Sequence, residues 1–143
     1  SFVEVYQNCV VFNDGAFDFA TDRDHKADTT IELERGKPLI FGKNRDRGIR
    51  LRGIEPEVVQ LGVGGVSEAD LLVHDEKAPE PSLAYLLSRM RYPDFPEPIG
   101  VLRAVDRPLY EVEMESQITA ARHKKGLGSL EKLFHTGDTW VVE

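Results

Sequence analysis

Residues 81–90 read Pro81-Ser82-Leu83-Ala84-Tyr85-Leu86-Leu87-Ser88-Arg89-Met90. Leu83, Leu86, Leu87 and Met90 fall at i, i+3, i+4 and i+7, the spacing that puts four apolar side chains on one face of a helix. Pro81 and Ser82 open it, and Tyr92-Pro93 stops it, because a proline cannot continue the hydrogen-bond ladder. Before this helix the apolar rhythm is different. In Gly48-Ile49-Arg50-Leu51-Arg52 it has period two, with Ile49 and Leu51 on one face and Arg50 and Arg52 on the other. That is the alternation of a strand. The switch from period two to period 3.6, without repeating βαβ units, predicts an α+β chain.

Further strands are expected at Thr30–Leu33, Leu39–Phe41, Val58–Leu61 and Ile99–Val105, and the opening Ser1–Gln7 also reads as a strand, rich in Phe, Val and Tyr. Asn13-Asp14-Gly15 predicts a turn, a short helical piece at Ala16–Ala20 follows, and Thr21–Asp28 reads as a surface loop. Ser67 stands three residues before Asp70, the spacing of a capping box, and Leu71–His74 fits either a strand or a helix end. Asp106 and Pro108 open a helix that carries Glu111, Glu113 and Glu115 near its start and Arg122, His123, Lys124 and Lys125 at its end, in accord with the helix dipole. Gly126 stops it. Ser129 caps a last helix through Phe134, and Thr139–Glu143 reads as a short terminal strand.

The composition excludes several classes. With 41% hydrophobic residues the 143-residue chain can bury a core, so it is not disordered. No apolar run approaches the roughly 20 residues of a membrane span, and no signal peptide is expected. A net charge of −7 argues against nucleic acid or an anionic membrane as partner. One cysteine, Cys9, allows no internal disulfide, which points to a reducing, cytoplasmic setting.

Few residues are candidates for chemistry. Gly62-Val63-Gly64-Gly65 lacks the Lys-Ser/Thr of a phosphate-binding loop and reads as a plain turn. His25, His74, His123 and His135 show no metal-binding spacing. Arg45, Arg47, Arg50 and Arg52 form the one tight basic cluster, either a solvated strand face or an anion site. Cys9 follows directly on the opening strand and precedes a turn-rich loop, a position where ligands collect in sheet proteins; a small buried apolar group is the alternative.

Tyr6-Gln7-Asn8-Cys9-Val10-Val11-Phe12-Asn13-Asp14-Gly15-Ala16-Phe17-Asp18 resembles the segment near the end of the thiamine-diphosphate domain in β subunits of 2-oxoacid:ferredoxin oxidoreductases, in the 2-oxoglutarate branch. Asp70–Glu76, Pro81–Ala84, Pro98–Val101, Leu130–Leu133 and Gly137–Trp140 extend the resemblance along the chain. It implies residues 1–13 as the end of the thiamine-diphosphate-binding domain, cut at Ser1 from a longer polypeptide, and residues 14–143 as the C-terminal domain of the β subunit. It further implies oxidative decarboxylation of a 2-oxoacid with coenzyme A and ferredoxin, an α subunit as partner, and Cys9 as the last ligand of a 4Fe-4S cluster. The Gly-Asp-Gly…Asn segment that holds Mg2+ and the diphosphate in the family has no counterpart here, nor do the other three cysteines, so the isolated chain is expected to be inactive. An autonomous, non-enzymatic interaction module is the competing expectation.

Overall fold

The computed structural model describes residues 1–138, 140 and 142. The expected terminal strand at 139–143 falls in large part outside them. The fold is α+β, and the chain divides into two compact units, Ser1–Val105 and Asp106–Glu143.

The first unit carries two short helices, α1 (Asp18–Thr21) and α2 (Lys26–Thr29), then strands β1 (Thr30–Leu33), β2 (Ile40–Phe41), β3 (Arg47–Arg52) and β4 (Glu55–Gln60). A 3₁₀ turn at Glu68–Asp70, helix α3 (Ser82–Ser88) and strand β5 (Glu97–Gly100) complete it. β2, β3 and β4 form an antiparallel meander, with Ile40 opposite Gly48 and Arg52 opposite Glu55. The β3–β4 hairpin closes on Gly53-Ile54, and Gly53 at φ 69° provides the positive dihedral that a two-residue hairpin loop requires. β1 pairs in parallel with β5, from Thr30 opposite Glu97 to Leu33 opposite Gly100.

The helical stripe does what its spacing dictates. Leu87 and Met90 are fully buried against Ile31, Leu39, Phe41 and Ile49, and Leu83 and Leu86 pack at the margin with Leu33, Leu72, Phe95 and Leu102. Leu71–His74 is extended rather than helical. It runs antiparallel to the segment leading into β2, with Val73 bridging Pro38; Leu72 N–H donates to the Ile49 carbonyl (2.8 Å) while the Leu72 carbonyl accepts from Leu39 N–H (2.8 Å). The capping box is present: the Asp70 carboxylate accepts from both Ser67 N–H and Ser67 Oγ at 2.8 Å, which holds its pKa below the usual carboxylate range.

Three expectations need correction. Residues 1–8 are not a strand; Phe2, Val3 and Val5 lie open to solvent with no neighbouring strand. High β-propensity builds a strand only where a partner supplies the ladder. The strand expected at Ile99–Val105 is β5, which ends at Gly100. Gly100 has φ 129° and a Cβ there would stand 3.2 Å from the Leu33 carbonyl, so the chain turns away from β1 at this point. The loop expected at Thr21–Asp28 instead closes into the single turn α2, where Thr29 Oγ1 donates to the Phe19 carbonyl and Thr30 Oγ1 to the Lys26 carbonyl at 2.8 Å.

In the second unit, α4 (Tyr110–Lys125) and α5 (Leu130–Phe134) stand where expected. Gly126 at φ 76° ends α4, and Ser129 Oγ accepts from Lys132 N–H at 3.1 Å to cap α5. No residue of either helix is buried.

Candidate functional site

Cys9 is exposed and sits at the neck of the turn that Asn13-Asp14-Gly15 makes. The Cys9 carbonyl accepts from Asn13 N–H at 2.9 Å, pinching residues 9–13 into a loop. Asn8 braces that loop, its amide donating to Asp14 Oδ1 (2.9 Å) while its carbonyl accepts from Gly15 N–H (3.0 Å). Gly15 takes φ 75° at the far side, a conformation that glycine adopts without strain.

The loop turns successive backbone N–H groups toward the sulfur. Those of Phe12 and Val11, with a smaller contribution from Asn13, hold the Cys9 thiol below its ordinary pKa by stabilising the thiolate. Alkylation by iodoacetamide is therefore expected to reach half its limiting rate at a lower pH than a free cysteine does. Phe12→Pro, which deletes the leading N–H, shifts that midpoint up. Identical midpoints in the two proteins would count against the N–H nest.

The arm carrying Cys9 is latched to the first unit. Tyr6 stacks on Phe17, with centroids 4.8 Å apart and planes 2° from parallel, and its hydroxyl donates to Glu97 Oε1 at the start of β5. Burial, followed by the Glu97 carboxylate, pushes the Tyr6 phenol above the ordinary range. Its folded-state pKa thus exceeds the unfolded one, so the latch is complete below pH ~10 and is lost as pH climbs through the folded value. Of the four tyrosines, one is expected to ionise last in an alkaline absorbance titration, and Tyr6→Phe to remove that late step. Four tyrosines ionising together would show the latch open.

The other candidates resolve separately. Arg47 pairs with Asp28 and lies over the Phe41 ring at 4.7 Å, Arg50 pairs with Glu57, and Arg52 lies 3.7 Å from Glu55, so three members of the basic cluster are neutralised by neighbours. The glycine run forms a turn, closed by Gly62 N–H donating to Val66 O at 2.9 Å. His25 stands 3.6 Å from Asp22, and His123 and His135 lie at helix C-termini. His74 is buried, its Nε2 2.9 Å from the Val101 carbonyl. The structure does not gather the histidines, the basic cluster and Cys9 into one centre. Among the described residues no three His, Cys, Asp or Glu side chains converge on a point where a metal ion would sit. No described helix is long and apolar enough to cross a membrane.

No family model matches the chain, and no solved structure matches it. Among curated proteins, 2-oxoglutarate oxidoreductase subunit KorB of Mycobacterium tuberculosis (strain ATCC 25618 / H37Rv) is 33% identical over 99% of this chain. The chain is a relative of KorB. The match bears out the resemblance read from the motifs, including its 2-oxoglutarate branch. The chain spans 38% of the length of KorB, so well over half of that subunit has no counterpart here. The turn expected at Asn13-Asp14-Gly15 is present, and the structure places Cys9 at its neck, exposed rather than buried. Sequence reasoning missed the Tyr6–Glu97 latch, whose only local sign is the aromatic pair Tyr6 and Phe17.

Proposed function

We propose that this chain works as part of the β subunit of a cytoplasmic 2-oxoacid:ferredoxin oxidoreductase whose substrate is 2-oxoglutarate. The likeness to KorB along nearly the whole chain carries this reading. In it, residues 1–13 complete a thiamine-diphosphate-binding domain and residues 14–143 form the C-terminal domain. The reaction breaks the bond between the 2-oxoacid's carboxylate and its keto carbon. Carbon dioxide leaves, the acyl group passes to the thiol of coenzyme A, and two electrons pass to ferredoxin.

The residues present fit a 4Fe-4S cluster as the source of one ligand, Cys9. Its thiol is exposed and inclined to ionise, and such clusters take thiolates. The remaining ligands then belong elsewhere in the subunit. In this reading thiamine diphosphate and its Mg2+ are held by parts of the subunit other than these residues. When bound, these groups supply the electron sink for decarboxylation and the carrier that accepts the electrons. The chain's own residues position the thiol, since the Tyr6–Glu97 latch and the Asn8 brace fix Cys9 against the first unit. The apolar side chains beside it, Val10, Val11 and Phe12, are exposed here and are covered by the rest of the subunit or by the α subunit in the assembly.

The test is turnover by the intact assembly. Reduction of ferredoxin that requires both 2-oxoglutarate and coenzyme A, with the isolated chain inactive, supports the reading. Turnover of pyruvate in preference to 2-oxoglutarate overturns the substrate assignment, and absence of any 2-oxoacid turnover overturns the activity.

A further inference from the structure

We propose that a basic cleft in the first unit binds a phosphate-bearing small molecule of nucleotide size, a role separate from the reaction above. The cleft encloses about 470 Å³, within the size range of small-molecule sites. Four cations line it: Arg23 before α2, Lys26 in α2, Lys37 from the β1–β2 loop and Arg45 after β2. Among the described residues none of the four lies within 4.0 Å of a carboxylate, whereas Arg47, Arg50 and Arg52 are each paired. In a chain of net charge −7, a concavity with four cations against the two carboxylates of Glu32 and Glu34 is net positive and attracts anions.

The floor and the remaining lining define the rest of the ligand. Ile40 and Phe41 close the base of the cleft, but both belong to the buried interior and the Phe41 ring is covered by Arg47, so the ligand meets a polar wall. Glu32 and Glu34, alternate residues of β1 and its extension, face the same cleft and offer acceptors to hydroxyl or amino groups. A bare phosphate would leave the Glu32 and Glu34 acceptors unused, and a small dicarboxylate would fill little of the volume. Arg45 adds a second mark. At φ 52° it is the one non-glycine residue in the left-handed region among the described residues, and such conformations concentrate where a chain holds a ligand.

The experiment uses the intact assembly, photolabelled with 2-azido-ADP and digested to locate the labelled peptide. Three proteins are compared: wild type, Lys37→Ala/Arg45→Asn, and Lys124→Ala as a cation removed elsewhere. Lys37 and Arg45 are exposed, and asparagine tolerates the left-handed conformation, so the double variant keeps the fold; circular dichroism checks this. The expected result is label within residues 23–45, displaced by excess AMP, reduced at least tenfold in the double variant and unchanged in Lys124→Ala. Label confined to other peptides, equal labelling in the double variant, displacement by 2-oxoglutarate but not by AMP, or displacement by coenzyme A at concentrations where AMP has no effect would each overturn the proposal. The readout needs no turnover, so it stands or falls apart from the oxidoreductase reading.

Discussion

Leu87→Ala is expected to destabilise the first unit by about 3 kcal/mol, within the roughly 2–5 kcal/mol range for fully buried leucines. Leu87 has no exposed surface, and it is the point where α3 meets Ile31, Leu39, Phe41 and Ile49. Those neighbours come from three strands and the segment leading into one of them, so the space left by truncation cannot close by a shift of one element. A matched truncation at Tyr85, which points outward from the same helix, should cost far less because no cavity is made. Denaturant unfolding of both variants measures the contrast, and equal midpoints would show that α3 does not hold the core.

Gly48→Ala tests the opposite error, overfilling. Gly48 lies in β3 opposite Ile40 and Val59, and a Cβ there would stand 2.5 Å from Leu71 Cδ1 and 2.7 Å from Cδ2. Leu71 is itself buried, so its tip has no free volume to enter. The expected loss is about 1–3 kcal/mol, typical of overpacked cores. Adding Leu71→Ala removes the clash, so the double variant should be more stable than the sum of the single losses predicts, by about 1 kcal/mol or more. Additive losses would mean that Leu71 moves aside and that the close approach is not what requires glycine.

Where local pattern decided an element, the sequence was a good guide. The stripe at Leu83, Leu86, Leu87 and Met90, the turn at Asn13–Gly15, the capping box at Ser67 and the glycine that ends α4 each depend on neighbours within a few residues, and each is found. Where an element depends on a distant partner, the pattern misled or was silent. Ser1–Gln7 has the composition of a strand but no neighbour to pair with, and the parallel pairing of β1 with β5 joins segments 67 residues apart in register. The site divides in the same way. Cys9 and its turn are local and legible. The latch from Tyr6 to Glu97 closes across 91 residues and leaves no spacing to read. The basic run at Arg45–Arg52 proved mostly self-neutralised, because cross-strand pairing in β3–β4 sets Arg50 beside Glu57 and Arg52 beside Glu55.

In the proposed function this chain lends Cys9 to the electron path of a 2-oxoglutarate oxidoreductase. That role is tested most directly by Cys9→Ala in the intact subunit, assembled anaerobically with its α partner, with iron content and the spin-resonance spectrum after reduction compared with wild type. The expected result is that the assembly still forms, that a four-iron signal is lost, and that electrons from 2-oxoglutarate no longer reach ferredoxin. Full iron content, an unchanged spectrum and normal ferredoxin reduction in the variant would contradict it and leave Cys9 as a surface thiol.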